Sequence, residues 1–252
     1  MASSERIRAI EEVASRAWPA KHRQQYGGWL LRATEGVTRR ANSVLPLRNP
    51  PEAQLDKALK TVETFYQQYR LPMRFQLTTT SQPPNLDEAL ENNALIMDMR
   101  VEVHTAPLNS VVVEEPQVGI VIFGSLNRDW LQAYGRFAGY DKVTLKVRQG
   151  IMERITQEKA FATAVIGDSI VGTGLGVIDG IWLGLFGLIV DKNHRREGIA
   201  TVITQNLVTW ALNHGASHGY LQVEEHNDPA KALYSTLGFK ETYTYWYRVA
   251  QE

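Results

Sequence analysis

Apolar residues recur every three or four positions in three stretches of this chain, and each spacing predicts a helix with one face turned to a core. Ile7, Ile10, Val13, Ala14 and Trp18 mark a first helix over residues 4–18. Leu55, Ala58, Leu59, Val62, Phe65, Tyr66 and Tyr69 form a regular stripe over 53–70. Ile199, Val202, Ile203, Leu207, Trp210 and Ala211 form another over 196–214, which Gly215 stops. A different pattern covers 161–190, which is mostly apolar and is broken by Asp168 and Asp179. The uncharged pieces run to about ten residues, against the roughly 20 that span a bilayer. Gly167-Asp168-Ser169 and Asp179-Gly180 read as turns, so the pattern predicts antiparallel strands at 159–166, 169–178 and 181–190.

Residues 220–239 then read as a strand, a turn at Asn227-Asp228-Pro229, a short helix to 237 and a final strand from Phe239. Residues 75–103 repeat that order, after the helix at 53–70 and strands at 29–34 and 38–47. Element order and spacing predict an internal repeat of one α/β unit, each copy a mixed, mostly antiparallel sheet with flanking helices. The expected division is 1–110 for the first half, 111–126 for a linker or extra strand, and 127–252 for the second half.

Composition removes several classes. Lysine plus arginine and aspartate plus glutamate number 27 each, without the basic excess of a general nucleic-acid binder. There is no cysteine, hence no disulfide, thiolate metal site or cysteine nucleophile, which fits a reducing cytoplasm. His194 and His226 lack metal-ligand spacing, so no metal is expected. The first residues are charged and carry no apolar run, so a cytoplasmic protein without a secretory signal or membrane span is expected.

The segment Val190-Asp-Lys-Asn-His-Arg-Arg-Glu-Gly-Ile-Ala200 joins the last apolar strand to the third helix. A helix start offers four unbonded N–H groups and the positive end of the dipole. Gly198 lets an anion approach the backbone. Arg195 and Arg196 are unfavourable at that end unless an anion joins them. A phosphorylated ligand is therefore expected, and the absence of a Gly-Lys-[Ser/Thr] run argues against a nucleotide P-loop. Superposing the two central helices puts Pro51-Glu-Ala-Gln-Leu-Asp56 at the matching place. There the glycine is gone, a proline removes a donor and two acids repel phosphate, so one such loop is expected, not two.

Two signatures carry a family resemblance. Arg195-x-x-Gly198-x-Ala200 and Asn227-x-x-Ala230-x-x-Leu233-Tyr234-x-x-Leu237-Gly238-Phe239 resemble those of the GNAT acyltransferases, the Gcn5-related N-acetyltransferase superfamily, over residues 127–249. The first half resembles a degenerate copy, as in tandem members. Gly28-Trp29-x-Leu31-Arg32 with Arg40-Ala-Asn-Ser43 resembles an N-terminal region of some bacterial members.

The resemblance implies transfer of an acyl group, most simply acetyl, from acetyl-CoA to a primary amine by direct attack, with no metal. It implies that Leu188, Ile189 and Val190 bond the pantetheine arm, and that Ile189 or Val190 N–H holds the thioester carbonyl. It places Arg195, Arg196, Gly198, Ile199, Ala200 and Thr201 around the pyrophosphate. Asn227 is a cofactor contact or a helix cap. Tyr234 is the general acid or a core residue; an ordinary phenol beside a thiol is read as giving a downhill transfer. Glu224, or Glu225, is the base candidate, because strand 181–190 has no interior carboxylate. Trp29, Arg32, Arg40 and Asn42 either line the acceptor pocket or pack the first half. The acceptor stays open among small amines, amino acids, antibiotics, peptide N-termini and lysine side chains, and so does the oligomeric state. A non-catalytic acyl-CoA-binding or regulatory module is the alternative class.

Overall fold

The computed structural model describes residues 2–51, 54–111 and 118–251. Elements follow in the order α1 (Ser4–Ala17), β1 (His22–Tyr26), β2 (Trp29–Ala33), β3 (Leu45–Pro46), α2 (Leu55–Gln68), β4 (Arg74–Leu77), α3 (Leu86–Asn92), β5 (Leu95–Pro107), β6 (Gly119–Phe123), α4 (Arg128–Ala138), α5 (Lys142–Glu153), β7 (Glu158–Ile166), β8 (Ser169–Asp179), β9 (Trp182–Val190), α6 (Ile199–Asn213), β10 (His218–Glu224), α7 (Asp228–Thr236) and β11 (Lys240–Ala250). The mixed α/β class read from the pattern is the class observed, and β7, β8 and β9 fall within a residue of their expected bounds. Residues 1–102 with 243–252 form one compact unit and 103–242 the other. Part of the segment read as linker, 112–117, lies outside the described residues, and β6 follows it.

The second unit is a sheet in the order β6-β7-β8-β9-β10-β5, with β11 beside β5. β6 to β9 run antiparallel. Gly172, Gly174 and Gly176 alternate along β8 and so share one face. A Cβ on Gly172 would lie 2.8 Å from Ile203 Cδ1, and one on Gly174 2.6 Å from Ile203 Cγ2. The missing side chains let α6 lie directly on the strand. The opposite face carries α4, where Trp130 meets Phe161 edge-on at 5.1 Å. Sequence periodicity did not single out α4 or α5, yet both open on side-chain caps. Asn127 accepts from Trp130 N at 2.8 Å and Asp141 from Thr144 N at 2.7 Å.

In the first unit, β1, β2 and β3 form an antiparallel sheet, and β4 pairs with residues 246–249 of β11. The α2 stripe closes over a core of Trp29, Leu31, Val62, Phe65 and Phe75. The strand expected over 38–47 shrinks to Leu45–Pro46, because Asn42 gathers the preceding chain into a loop. Its Oδ1 accepts from Thr34 N and Gly36 N, and its Nδ2 donates to Val37 O and Thr38 O. Of the residues read as pocket lining or packing, three are internal. Trp29 is fully buried and donates to Gln82 O at 2.8 Å. Asn42 is the loop's clasp. Arg32 donates to Ser43 O, Ser43 Oγ and Gln76 Oε1, each at 2.9 Å. Arg40 lies over the Trp18 ring at 5.8 Å.

That arginine belongs to a buried polar network. Glu11 receives Tyr243 Oη on one oxygen and Gln76 Nε2 on the other, both at 2.7 Å. Burial pushes the Glu11 carboxyl above its ordinary range, while the Tyr243 hydroxyl and the Arg32 and Arg40 cations pull it down. A carboxyl raised in the folded state stabilises fully below its unfolded value of 4.5 and loses that contribution as pH rises through the folded one. Tyr243→Phe removes a donor from the ionised form and should destabilise the protein by about 2 kcal/mol at neutral pH. Urea unfolding at a series of pH values checks this: the deficit should shrink on acidification toward pH 4.5. A deficit that grows on acidification would contradict the assignment.

Candidate active site

β9 has strand partners on both sides only at its start. Its parallel pairing with β10 joins Trp182 to His218, Leu183 to Gly219 and Gly184 to Tyr220. Beyond that register no pairing joins the two among the described residues, while β8 stays with β9 as far as Val190. The strands part, and the side of β9 that faced β10 keeps backbone donors and acceptors without a strand partner. Alternation along the ladder decides which residues these are. Asp191 N–H donates to Val171 O at 2.8 Å, so Asp191 and Ile189 turn toward β8. Val190 and Leu188 turn their N–H and C=O into the gap.

A kink builds the parting. The β8–β9 register slips between Thr173 and Leu175, opposite Gly187. Gly187 has φ +56°, in the left-handed region, and its carbonyl accepts from Thr173 Oγ1 at 3.2 Å. Trp130, fully buried, donates from Nε1 to Ala162 O at 3.0 Å and Gly174 O at 3.2 Å. A Cβ on Gly187 would meet Trp130 Cη2 at 3.4 Å and Tyr134 Cε2 at 3.5 Å. Neither Gly187 nor the two rings stood out in the sequence, although the helical spacing of Trp130, Ala133 and Tyr134 was a usable signal.

After β9 a 3-10 turn, Lys192–His194, leads to α6 through two left-handed residues, Arg196 at φ +67° and Gly198 at φ +75°. The helix starts at Ile199, so the expected start at 196 is corrected. Gly198 is the N-cap and not a helix-interior glycine, and its left-handed backbone is what favours glycine there. A Cβ on it would meet nothing within 4 Å, so the space before the helix is open. No side chain caps α6. The N–H groups of Ile199, Ala200 and Thr201 have no acceptor within the helix. Arg195 and Arg196 are exposed, and among the described residues neither pairs with a carboxylate, whereas Glu197 is held by His194 at 3.1 Å. Holding Arg196 left-handed costs about 1–2 kcal/mol. Unbonded donors, two unpaired cations and open space suit a diphosphate.

Asn227 is seen as a cap: its Oδ1 accepts from Ala230 N at 3.2 Å at the start of α7. Tyr234 is buried at 9% exposure, edge-on to Phe239, and among the described residues nothing hydrogen-bonds its hydroxyl. Burial alone pushes its phenol above the ordinary tyrosine range. The expected downhill proton transfer is thereby corrected. A phenol is already the weaker acid by about 1.5 pK units, so transfer to a free thiolate is uphill by about 2 kcal/mol. Burial widens that gap. Glu224 is exposed where β10 ends, and Glu225 follows in the turn. Among the described residues no His, Cys, Asp and Glu group could hold a metal, and no helix is long and apolar enough to cross a membrane.

A parallel strand pair that parts, beside a helix start left open for an anion, is the arrangement that the resemblance to the GCN5-related N-acetyltransferases implies, and the comparisons with known proteins agree with that fold. Residues 4–248 match the family described as "Probable histone acetyltransferase Rv0428c C-terminal", and the chain belongs to that family. It is 32% identical to "Uncharacterized N-acetyltransferase YobR" of Bacillus subtilis (strain 168), over 96% of this chain and 98% of that one. In structure it resembles a GCN5-related N-acetyltransferase from Kribbella flavida, with TM-score 0.73 and 16% identity over 100% of this chain and 97% of that one. It also resembles a tandem GNAT protein from the clavulanic acid biosynthesis pathway, with TM-score 0.67 and 13% identity over 96% and 87%. The chain is an N-acetyltransferase.

Gly187→Ala tests the kink. A side chain forced into the left-handed region costs about 1–2 kcal/mol. Tm should therefore fall by roughly 2–8 °C in a thermal melt, at about 2–4 °C per kcal/mol for a chain of this size. An unchanged Tm would show that β9 does not need the left-handed turn.

Proposed function

We propose that the enzyme transfers acetyl from acetyl-CoA to a primary amine by direct attack. The observation that carries this reading is the coincidence, at one end of β9, of free backbone groups and an uncapped helix start. In the reaction an N–C bond forms, the thioester C–S bond breaks, the amine loses a proton and the CoA sulfur gains one. Acetyl-CoA supplies the activated acyl group, and the chain's residues bind and orient it.

Leu188 and Val190 offer amide-sized donors and acceptors to the pantetheine arm. Val190 N–H donates to the acyl oxygen as it gains charge. Ile189, which turns toward β8, serves by holding that register. The N–H groups of Gly198, Ile199, Ala200 and Thr201 bind the pyrophosphate, with Arg195 and Arg196 flanking it. Tyr234 donates to the leaving sulfur. A thiolate formed in the same desolvated space has its own proton affinity raised, which offsets the widening that burial of the phenol causes. Glu224, exposed at the end of β10, takes the amine proton directly or through water. Asn227 sets the start of the helix that carries Tyr234.

The first unit reads as a degenerate copy of the second, more suited to choosing the acceptor than to carrying the acyl group. Its order β2, β3, α2, β4, α3, β5 mirrors β8, β9, α6, β10, α7, β11. In each, the chain after the central helix runs parallel to the strand before it, Val44 with Phe75 in one and Trp182 with His218 in the other. Two residues of the 51–56 segment compared with the anion loop, 52 and 53, lie outside those described. α2 begins at Leu55 after the N-cap Gln54, which makes no side-chain cap bond, and has Asp56 in its first turn.

Two variants separate binding from chemistry. Tyr234→Phe should lower kcat about 100-fold or more in a CoA-release assay and leave acetyl-CoA affinity unchanged. Turnover like the parent's would remove the acid role. Gly198→Ala should weaken acetyl-CoA binding in calorimetry by about 5- to 30-fold, because the cost of a left-handed alanine, about 1–2 kcal/mol, falls where the diphosphate docks. An unaltered affinity would place the diphosphate elsewhere.

A further inference from the structure

The α4–α5 pair holds an arginine that no carboxylate pairs with among the described residues. Arg148 Nη1 donates to Tyr134 Oη at 2.8 Å, and its guanidinium lies over the Tyr140 ring at 4.2 Å. Tyr134 and Tyr140 meet edge-on at 5.4 Å, so two rings and one hydroxyl fix the guanidinium plane. Its Nε is buried and has no hydrogen-bond partner. Among the described residues no carboxylate pairs with it; the neighbouring Asp141 is turned to the start of α5, where it caps Thr144. Other arginines of the chain show what this edge does elsewhere. Arg39 and Arg248 each present Nε and Nη2 side-on to a carboxylate, Asp98 and Asp87. Arg148 has given Nη1 to a phenol, and among the described residues no carboxylate engages its other donors.

Its place gives the edge a meaning. Tyr134, which holds Arg148 by its hydroxyl, is the ring that closes over Gly187, with Cε2 3.5 Å from where a Cβ would sit. The guanidinium is therefore one phenol away from the kink of β9, on the α4 face of the sheet, opposite α6. An oxyanion docked there, on the face opposite α6, would belong to the partner of the acyl group and not to the diphosphate, which the reading above gives to the start of α6.

Resting on the N-acetyl-transfer reading above, we infer that Arg148 receives a carboxylate of the acceptor, so that the acceptor is an amino acid or another amine bearing a free carboxylate. Guanidinium and carboxylate match in a two-point fork, which positions as well as attracts. Tyr134 and Tyr140 hold the fork's plane, and the acceptor's amine is thereby presented toward the gap beside Val190. Neutral amines, amides and polyamines lack the two-oxygen anion that matches the fork.

Matched acceptors test this on the full chain. Amino acids, β-alanine and γ-aminobutyrate are compared with their amides and decarboxylated amines, by CoA release and by calorimetry on the CoA complex. The expected result is a carboxylate-bearing acceptor with kcat/KM about 10- to 100-fold above its amide, carried mainly by KM. Arg148→Gln should collapse that ratio toward one, and Arg148→Lys, which keeps the cation but loses the fork, should restore part of it. Equal or better use of the amides, or a ratio unchanged in Arg148→Gln, would overturn the inference and leave acetyl transfer standing. So would acetyl-CoA binding with no amino carboxylate bound to the CoA complex. Failure to bind acetyl-CoA at all would instead overturn the reading on which it rests.

Discussion

The site depends on β9 having strand partners along one edge and none along most of the other. Three residue pairs tie it to β10, and then the strands separate. Backbone groups left without partners are unfavourable inside a protein, so a sheet opens this way only when something holds it open and something else can fill it. Gly187 in the left-handed region, Thr173 on its carbonyl and Trp130 bonded to Gly174 O hold it. The rest of the site follows from the same strand. The glycine row of β8 seats α6, so the open helix start comes directly after β9 ends. β10 leads to the turn and helix that carry Tyr234.

Some arginines of the chain have their donors engaged inside the fold and others do not. Arg32 is satisfied by Ser43 and Gln76, Arg39 by Asp98, and Arg248 by Asp87 and Glu91. Arg195, Arg196 and Arg148 have no carboxylate partner among the described residues. A chain with equal numbers of acidic and basic residues thus keeps a local excess of positive charge on the elements around β9. Unpaired, those cations are held ready for anions that arrive with ligands, where a paired arginine would first have to break an ion pair.

What could be read in advance was what repeats along the chain. The stripes of α1, α2 and α6 and the apolar run of β7 to β9 announce themselves by period, because one face of each meets a core. The loop from Arg195 to Ala200 was legible as chemistry, since few other arrangements put two arginines and a glycine before a helix. Gly187 was not legible, because nothing local distinguishes it from Gly184 three residues earlier; its φ is imposed by Trp130 and Tyr134, which are far away in sequence. The strand expected over 38–47 failed for a similar reason. Asn42 has four backbone partners there, and a side chain that makes a turn so complete overrides the extended preference of its neighbours. Arg32 and Trp29, read as either pocket lining or packing, form the interior of the first unit.

Residues 243–251 complete the first unit although the whole of 103–242 precedes them in the chain. Tyr243 and Glu11, which meet at 2.7 Å, are 232 positions apart. As the protein is synthesised, Glu11, Arg32 and Gln76 exist long before the strand that seals them is made. The first unit therefore spends the later part of its synthesis as an unfinished sheet with a carboxylate that has yet to find its phenol. Its folding is timed by the translation of the other unit, and a stall or release before residue 243 strands the half that was made first.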